Sequence, residues 1–250
     1  MFAPPRPTPG EGRVKFDELA EYCRRHHAHV TDAEWKGNEW TLMFRIDDDK
    51  NIASGIQIDD AGWGCLLGGV VIGAYRLDTQ AFVWGEVPVA QFQGNAFTQK
   101  AYLTSATDMT RDLLAKLNVS KEEPIHVCTG YVLDGVRQML HAGGYNWQTA
   151  KITGPLQTLV ETALVQRLHQ IGVTDLDYET LTAKQGLAFY KCLKWLKGGN
   201  VNATRTAPER ERFAKTGWAT YRAWAYRPYA QAKAEARLLK QKRHSQRVGV

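Results

Sequence analysis

Three short β-rich runs follow one another between residues 56 and 92, and alternating strand-like and helix-like segments come after them; this order constrains the fold more than any other feature. The runs are IQIDDAG (56–62), GGVVIGAYRL (68–77) and AFVWGEVPVAQF (81–92), separated by short turns that contain Gly or Asp. β-Branched residues at that density, with turns that short, give an antiparallel meander. Residues 98–118 then place apolar side chains at 103, 106, 109, 113, 114 and 117, which is the spacing of one helix face. PIHVC (124–128) is a compact apolar strand, and YVLDGVRQMLHAGG (131–144) is a helix ended by two glycines. WQTAKI (147–152) is a further strand, and residues 155–172 form a helix with proline at its first position and Gly172 at its end. The expected order is β-β-β-α-β-α-β-α: an α/β fold with a mixed five-stranded sheet flanked by helices.

The flanks read differently. Residues 14–27 have the pattern of a short amphipathic helix and residues 40–46 that of a strand, so 1–52 is an N-terminal arm, helix and strand ahead of a core at 53–175. Residues 176–250 form a helical extension with a basic tail, joined through the linker-like GGNVNATRTAP (198–208). Charge divides the same way: residues 1–200 hold 20 basic and 23 acidic side chains, while residues 201–250 hold 12 basic and 3 acidic. The tail interleaves Trp218, Tyr221, Trp224, Tyr226 and Tyr229 with Arg222 and Arg227, and Lys233, Arg237, Lys240 and His244 recur at helical spacing, with Lys242 and Arg243 beside them. Such a stripe suits a phosphate backbone, with charge giving affinity and rings giving stacking. A solvated helix whose aromatics pack on the body has the same pattern.

Several classes are excluded. No apolar run approaches the roughly 18–20 residues of a membrane span. The proline-rich start lacks the apolar stretch of a signal peptide. Cys23, Cys65, Cys128 and Cys192 lie far apart without a C-x-x-C pair, against a zinc ribbon or a disulfide scaffold, and the default setting is reducing and intracellular, cytoplasmic or nucleoid-associated. No Walker-type or dinucleotide-binding glycine motif is present. The clustered Cys23, His26, His27 and His29 read as a solvated helix end, because successive helix positions do not converge on one ion.

Asp59-Asp60 closes the first apolar run just before Ala61-Gly62-Trp63-Gly64. Alternation along a strand leads to the expectation that one of the two carboxylates lines any given site. With the element order, the Gly68-Gly69 start of the second run, Tyr131-Val132 with Gly135 after the fourth strand, and Lys151-Ile152-Thr153-Gly154 before the last helix, residues 55–172 resemble the ribonuclease H-like superfamily of ribonucleases H, RuvC-type resolvases and transposases. The resemblance implies carboxylates from the first strand, the fourth strand or first helix, and the last helix, holding two Mg²⁺ or Mn²⁺ ions for in-line phosphodiester displacement. Carried over, the first-strand acid is Asp59 or Asp60 and the last-helix acid is Glu161; the fourth-strand position is Cys128, and Asp134 or Glu86 are the acids able to compensate.

Each of these has a plainer reading: Asp134 as a first-turn acid facing the helix dipole, Glu86 as a cross-strand partner, Glu161 as a helix-surface carboxylate. The expected function is nucleic-acid processing by a divalent-metal-dependent nuclease acting on structured DNA or RNA. Asp59, Asp60, Glu161 and Asp134 would form its metal-binding and catalytic set, with Lys151, Arg222, Arg227, Lys233, Arg237, Lys240, Lys242 and Arg243 on the nucleic acid. The alternative is an inactive ribonuclease H-like scaffold that binds nucleic acid or a protein partner in a larger complex.

Overall fold

The structure is a computed structural model that describes residues 28–36, 39–46, 54–183, 186–236 and 238. The expected arm and helix before residue 28 lie outside the described residues, as do Arg237, Lys240, Lys242 and Arg243. The chain divides into two compact units, Met1–Ala53 and Ser54–Val250. The first contains an antiparallel pair, β1 (Ala28–Lys36) and β2 (Glu39–Ile46), whose register shifts between Val30 and Asp32. The periodicity of residues 40–46 foretells β2, while β1 has no such even pattern.

The second unit is built on five strands, β3 (Ile56–Ala61), β4 (Val70–Arg76), β5 (Phe82–Val87), β6 (Ile125–Val127) and β7 (Trp147–Thr149), in the order β5-β4-β3-β6-β7. β3, β4 and β5 form the antiparallel meander, and β6 and β7 add in parallel on the other side of β3. This is an α/β fold with a mixed five-stranded sheet. After the meander come α1 (Gly94–Thr98) and α2 (Ala101–Lys116); α3 (Asp134–Ala142) joins β6 to β7, and α4 (Pro155–Gln170) follows β7. Among the described residues no helix is long and apolar enough to cross a membrane.

The central position of β3 follows from its burial on both faces. Ile56 and Ile58 pack with Ile72, Ile125, Leu113 and Leu133 on the side of α2 and α3. On the other face Val71 and Tyr75 pack with Leu156, Val160 and Leu164 of α4. Gly73 permits that approach: a Cβ there would stand 2.4 Å from Val160 Cγ1, far inside van der Waals contact.

The α4-side core continues into the C-terminal part of the chain, through α5 (Tyr178–Thr182), α6 (Leu187–Leu196), α7 (Pro208–Glu211), α8 (Ala219–Ala225) and a helical stretch over 229–236. Cys192, Leu193, Leu196, Tyr221 and Ala225 are all buried in it, with Trp218, Trp224 and Tyr229 packed alongside. Of the two readings of the aromatic tail, packing on the body describes these rings. Lys215 is fully buried, and its ammonium donates to the carbonyls of Gly62 (3.1 Å), Cys65 (2.8 Å) and Leu67 (3.3 Å). The tail is thereby fastened to the turn that leaves β3.

Burial lowers the Lys215 pKa from 10.5 to about 8. The folded chain therefore surrenders this proton at a pH where the unfolded chain still keeps it. The cost of the buried charge is fully present below pH 8 and is relieved as pH rises toward 10.5. Urea denaturation at a series of pH values should show wild type gaining up to about 3 kcal/mol over Lys215→Met across that window. Parallel stability profiles would contradict this assignment.

Candidate functional site

β6 is short, and that shortness opens the site. It pairs with β3 only as far as Val127 opposite Ile58, and the Cys128 N–H makes the last hydrogen bond, to the Ile58 carbonyl at 2.9 Å. Past this point nothing in the sheet flanks that side of β3, at the carboxyl edge where open α/β sheets place ligands. Asp59, on the α4 face, and Asp60, on the α2–α3 face, both reach the notch. Ligand atoms of Asp59, Asp60 and Cys128 all lie within 4.8 Å of one another. The expectation that only one aspartate would line the site is thus corrected: alternation separates side chains across a continuous sheet, and here the neighbouring strand has ended.

Crowding and burial set the electrostatics. Asp59 is 5% exposed; burial raises its pKa, against the hydrogen bonds it accepts from the Cys128 thiol and from the Asp60 N–H (2.9 Å). Asp60 is pushed up to about 7, first by burial and then by the Asp59 charge, with the Arg137 guanidinium pulling the other way. Burial and the two neighbouring aspartates push the Cys128 thiol up to about 12, so it stays protonated and donates. All three groups resist ionisation more than they would in water, and a positive charge placed among them would ease it.

Glu161, on α4, adds to the charge felt by Asp59 but does not belong to the Asp59–Asp60–Cys128 group. Its Oε1 accepts from Gln157 at 3.2 Å and the Tyr178 hydroxyl lowers its pKa, but burial is the larger effect and raises it. Its Oε2 is buried without a hydrogen-bond partner.

Asp134 is placed elsewhere. It forms an ion pair with Arg137, one turn along α3, and does not belong to the Asp59–Asp60–Cys128 group. Arg137 also donates to the carbonyls of Cys128 (2.6 Å) and Gly130 (3.2 Å), so it fixes the segment that leaves β6. Glu86 is likewise engaged, accepting from the Gly69 N–H at 2.8 Å and from Arg167 of α4 at 2.6 Å. Lys151 is exposed just beyond β7, at the same carboxyl edge as the aspartates. In the tail, Arg222 is exposed on α8, Arg227 pairs with Glu235, and Lys233 lies over the Tyr229 ring at 5.5 Å.

An aromatic rim that the sequence reading did not single out adjoins the notch. Trp63, three residues past Asp60, packs at 5.3 Å from Tyr102 and 5.6 Å from Tyr131 between ring centroids. Tyr131, one residue past Gly130, is 41% exposed, with the Lys100 ammonium 5.9 Å from its ring. An exposed ring with a cation beside it, backed by partly buried and buried rings, is the signal; in sequence these residues are scattered over 63–131, and nothing there brings them together. Neither the protein-family models nor the curated proteins contain a match to this chain.

Gly130 is required by the site itself, since a Cβ there would lie 2.3 Å from Asp60 Oδ1. Gly130→Ala should destabilise the protein by about 1–3 kcal/mol in chemical denaturation. The loss should shrink markedly when the alanine is placed in an Asp60→Ala background, because the clashing atom is gone. Equal losses in both backgrounds would remove Asp60 as the reason for the glycine.

Proposed function

We propose that this protein is a divalent-metal-dependent nuclease with a ribonuclease H-like core, hydrolysing phosphodiester bonds in structured DNA or RNA inside the cell. The observation that carries the reading is the convergence of Asp59, Asp60 and Cys128 at the end of the central strand, with Glu161 of the helix after the last strand near enough for its charge to act on Asp59. These are the first-strand, fourth-strand and last-helix positions of the resemblance. Its implied ions can be tested against the donors present. The carboxylates of Asp59 and Asp60 lie within reach of one hard ion, Mg²⁺ or Mn²⁺, and are the residues that would hold it, with the Glu161 charge acting on Asp59 from outside that group. A protonated thiol at Cys128 does not suit a second such ion, and Asp134 is committed to Arg137. The donors therefore fit one ion and not the pair.

Such an ion, when bound, supplies polarisation of the phosphodiester and an acidified water. The chain's own groups orient and restrain. Arg137 fixes the backbone of Cys128 and Gly130 against which Asp60 rests. The Trp63 and Tyr131 rings offer faces to a base or sugar, and Lys100 and Lys151 offer charge to the backbone. Arg222, Arg227 and Lys233 extend basic character along the C-terminal segment.

The second reading, an inactive scaffold for nucleic acid or a protein partner, is favoured by the Cys128 thiol on Asp59, which occupies a carboxylate a metal would need. Cleavage of a labelled panel (single strand, duplex, RNA–DNA hybrid, four-way junction) with Mg²⁺ or Mn²⁺ separates the two. The nuclease reading expects cutting of at least one member, reduced on the order of 10²-fold or more in Asp59→Asn and Glu161→Gln. Salt-sensitive binding without cutting, equal in all three proteins, would establish the scaffold instead.

A further inference from the structure

Behind the turn that leaves β3 lies a second reactive arrangement that the carboxylate site does not use. Cys65 and Cys192 are both free, 127 residues apart in sequence, and their sulfurs lie 3.7 Å from each other. Cys65 is 9% exposed and belongs to the turn after β3; Cys192 is fully buried on α6. Both line the α4-side core. The Lys215 ammonium is anchored on the Cys65 carbonyl at 2.8 Å, so a fixed positive charge stands beside the pair.

We propose that Cys65 and Cys192 are a peroxide-responsive thiol pair, whose oxidation to a disulfide fastens α6 covalently to the turn that leaves the site strand. Contact between the sulfurs carries this inference: they stand 3.7 Å apart and must close to about 2.05 Å to bond. The shared hydrogen bond with Cys192 and the Lys215 charge both favour a thiolate at Cys65 and leave the proton on Cys192. Cys65 is then the attacking sulfur and Cys192 the resolving one.

The step balances with hydrogen peroxide as oxidant. The Cys65 thiolate attacks one peroxide oxygen and the O–O bond breaks; the departing hydroxide is neutralised to water by the proton that Cys65 released to solvent on ionising, leaving a sulfenic acid. The Cys192 sulfur then attacks the Cys65 sulfur, the S–O bond breaks, and the hydroxyl leaves with the Cys192 proton as a second water. Two electrons pass from sulfur to oxygen. Two thiols and one peroxide give one disulfide and two waters.

Cys128 is the internal control. It is more exposed than either member of the pair, but its thiol is held protonated by Asp59 and Asp60 and is a poor nucleophile. The test treats the folded full-length protein with hydrogen peroxide, quenches, alkylates remaining thiols under denaturing conditions and maps the peptides by mass spectrometry. Wild type should yield a peptide joining Cys65 to Cys192, about 2 Da lighter than the reduced pair and split by dithiothreitol, with a melting temperature that rises on oxidation and falls on reduction. Cys192→Ala should stop at a dimedone-reactive sulfenic acid on Cys65, and Cys65→Ala should leave Cys192 reduced. Should either variant fail to fold, the wild-type mapping still decides. Oxidation of Cys128 with both Cys65 and Cys192 still alkylated would overturn the proposal, as would a joined pair that leaves the melting temperature unchanged.

Discussion

Acidic groups forced together at the end of the central strand are the constraint to which much of the second unit is fitted. Asp59 and Asp60 share a notch with Cys128; burial opposes ionisation of all three, and the Asp59 charge adds to that cost for Asp60 and Cys128. In water the three would separate or ionise; here the ladder of β3 and β6 holds their backbones in place up to Ile58 and Cys128. The surroundings accommodate the crowding instead of relieving it. Gly130 gives up a side chain to leave room for Asp60, and Arg137 brings its charge near while spending its hydrogen bonds on the Cys128 and Gly130 carbonyls. A fold that stabilises such an arrangement without a cation does so at a cost, and functional sites are where such costs are kept.

The turn that follows β3 joins this notch to the C-terminal half. Lys215 takes three carbonyls of residues 62–67 as acceptors, and Leu67 bridges to Ala214. The segment after residue 176, read from sequence as an appended extension, therefore contributes buried side chains to the same core as α4 and braces the site from behind. Tyr221 shows how: its ring is buried and its hydroxyl donates to Glu211 at 2.8 Å. Lys197 and Lys215 are the buried cations among the described residues of this segment; Lys194, Arg205, Arg212, Arg222, Arg227 and Lys233 remain exposed, while most of its aromatic residues are at least partly buried.

The sheet was legible because it is regular. Val- and Ile-rich runs with short turns, followed by helices of clear apolar period, identify all five strands of the second unit, but the third run overshoots: β5 ends at Val87, and Pro88, which has no N–H for a sheet, leads into a short 3-10 helix over Val89–Phe92. β1 was not, because the register shift between Val30 and Asp32 breaks its alternation midway. At the candidate site, Asp59-Asp60 stands out in sequence at the end of an apolar run, and Glu161 is reached only through the resemblance. What could not be found that way was partnership. Asp134 and Glu86 lie where an acid could help, and only the fold shows that Arg137 and Arg167 have taken them. The meeting of Asp59 with Asp60 was also hidden, since it depends on where a neighbouring strand stops. Lys215 looks in sequence like one more tail cation, and its burial against carbonyl oxygens is purely a matter of tertiary packing.

The central claim is that this acidic notch exists to receive a cation, and direct binding tests it. Calorimetric titration of the metal-free protein with Mn²⁺, repeated on Asp59→Asn and Asp60→Asn, should give saturable binding near one ion per chain in wild type and at least roughly tenfold weaker binding in each variant. No saturable binding at millimolar Mn²⁺, or affinity unchanged in both variants, would contradict it.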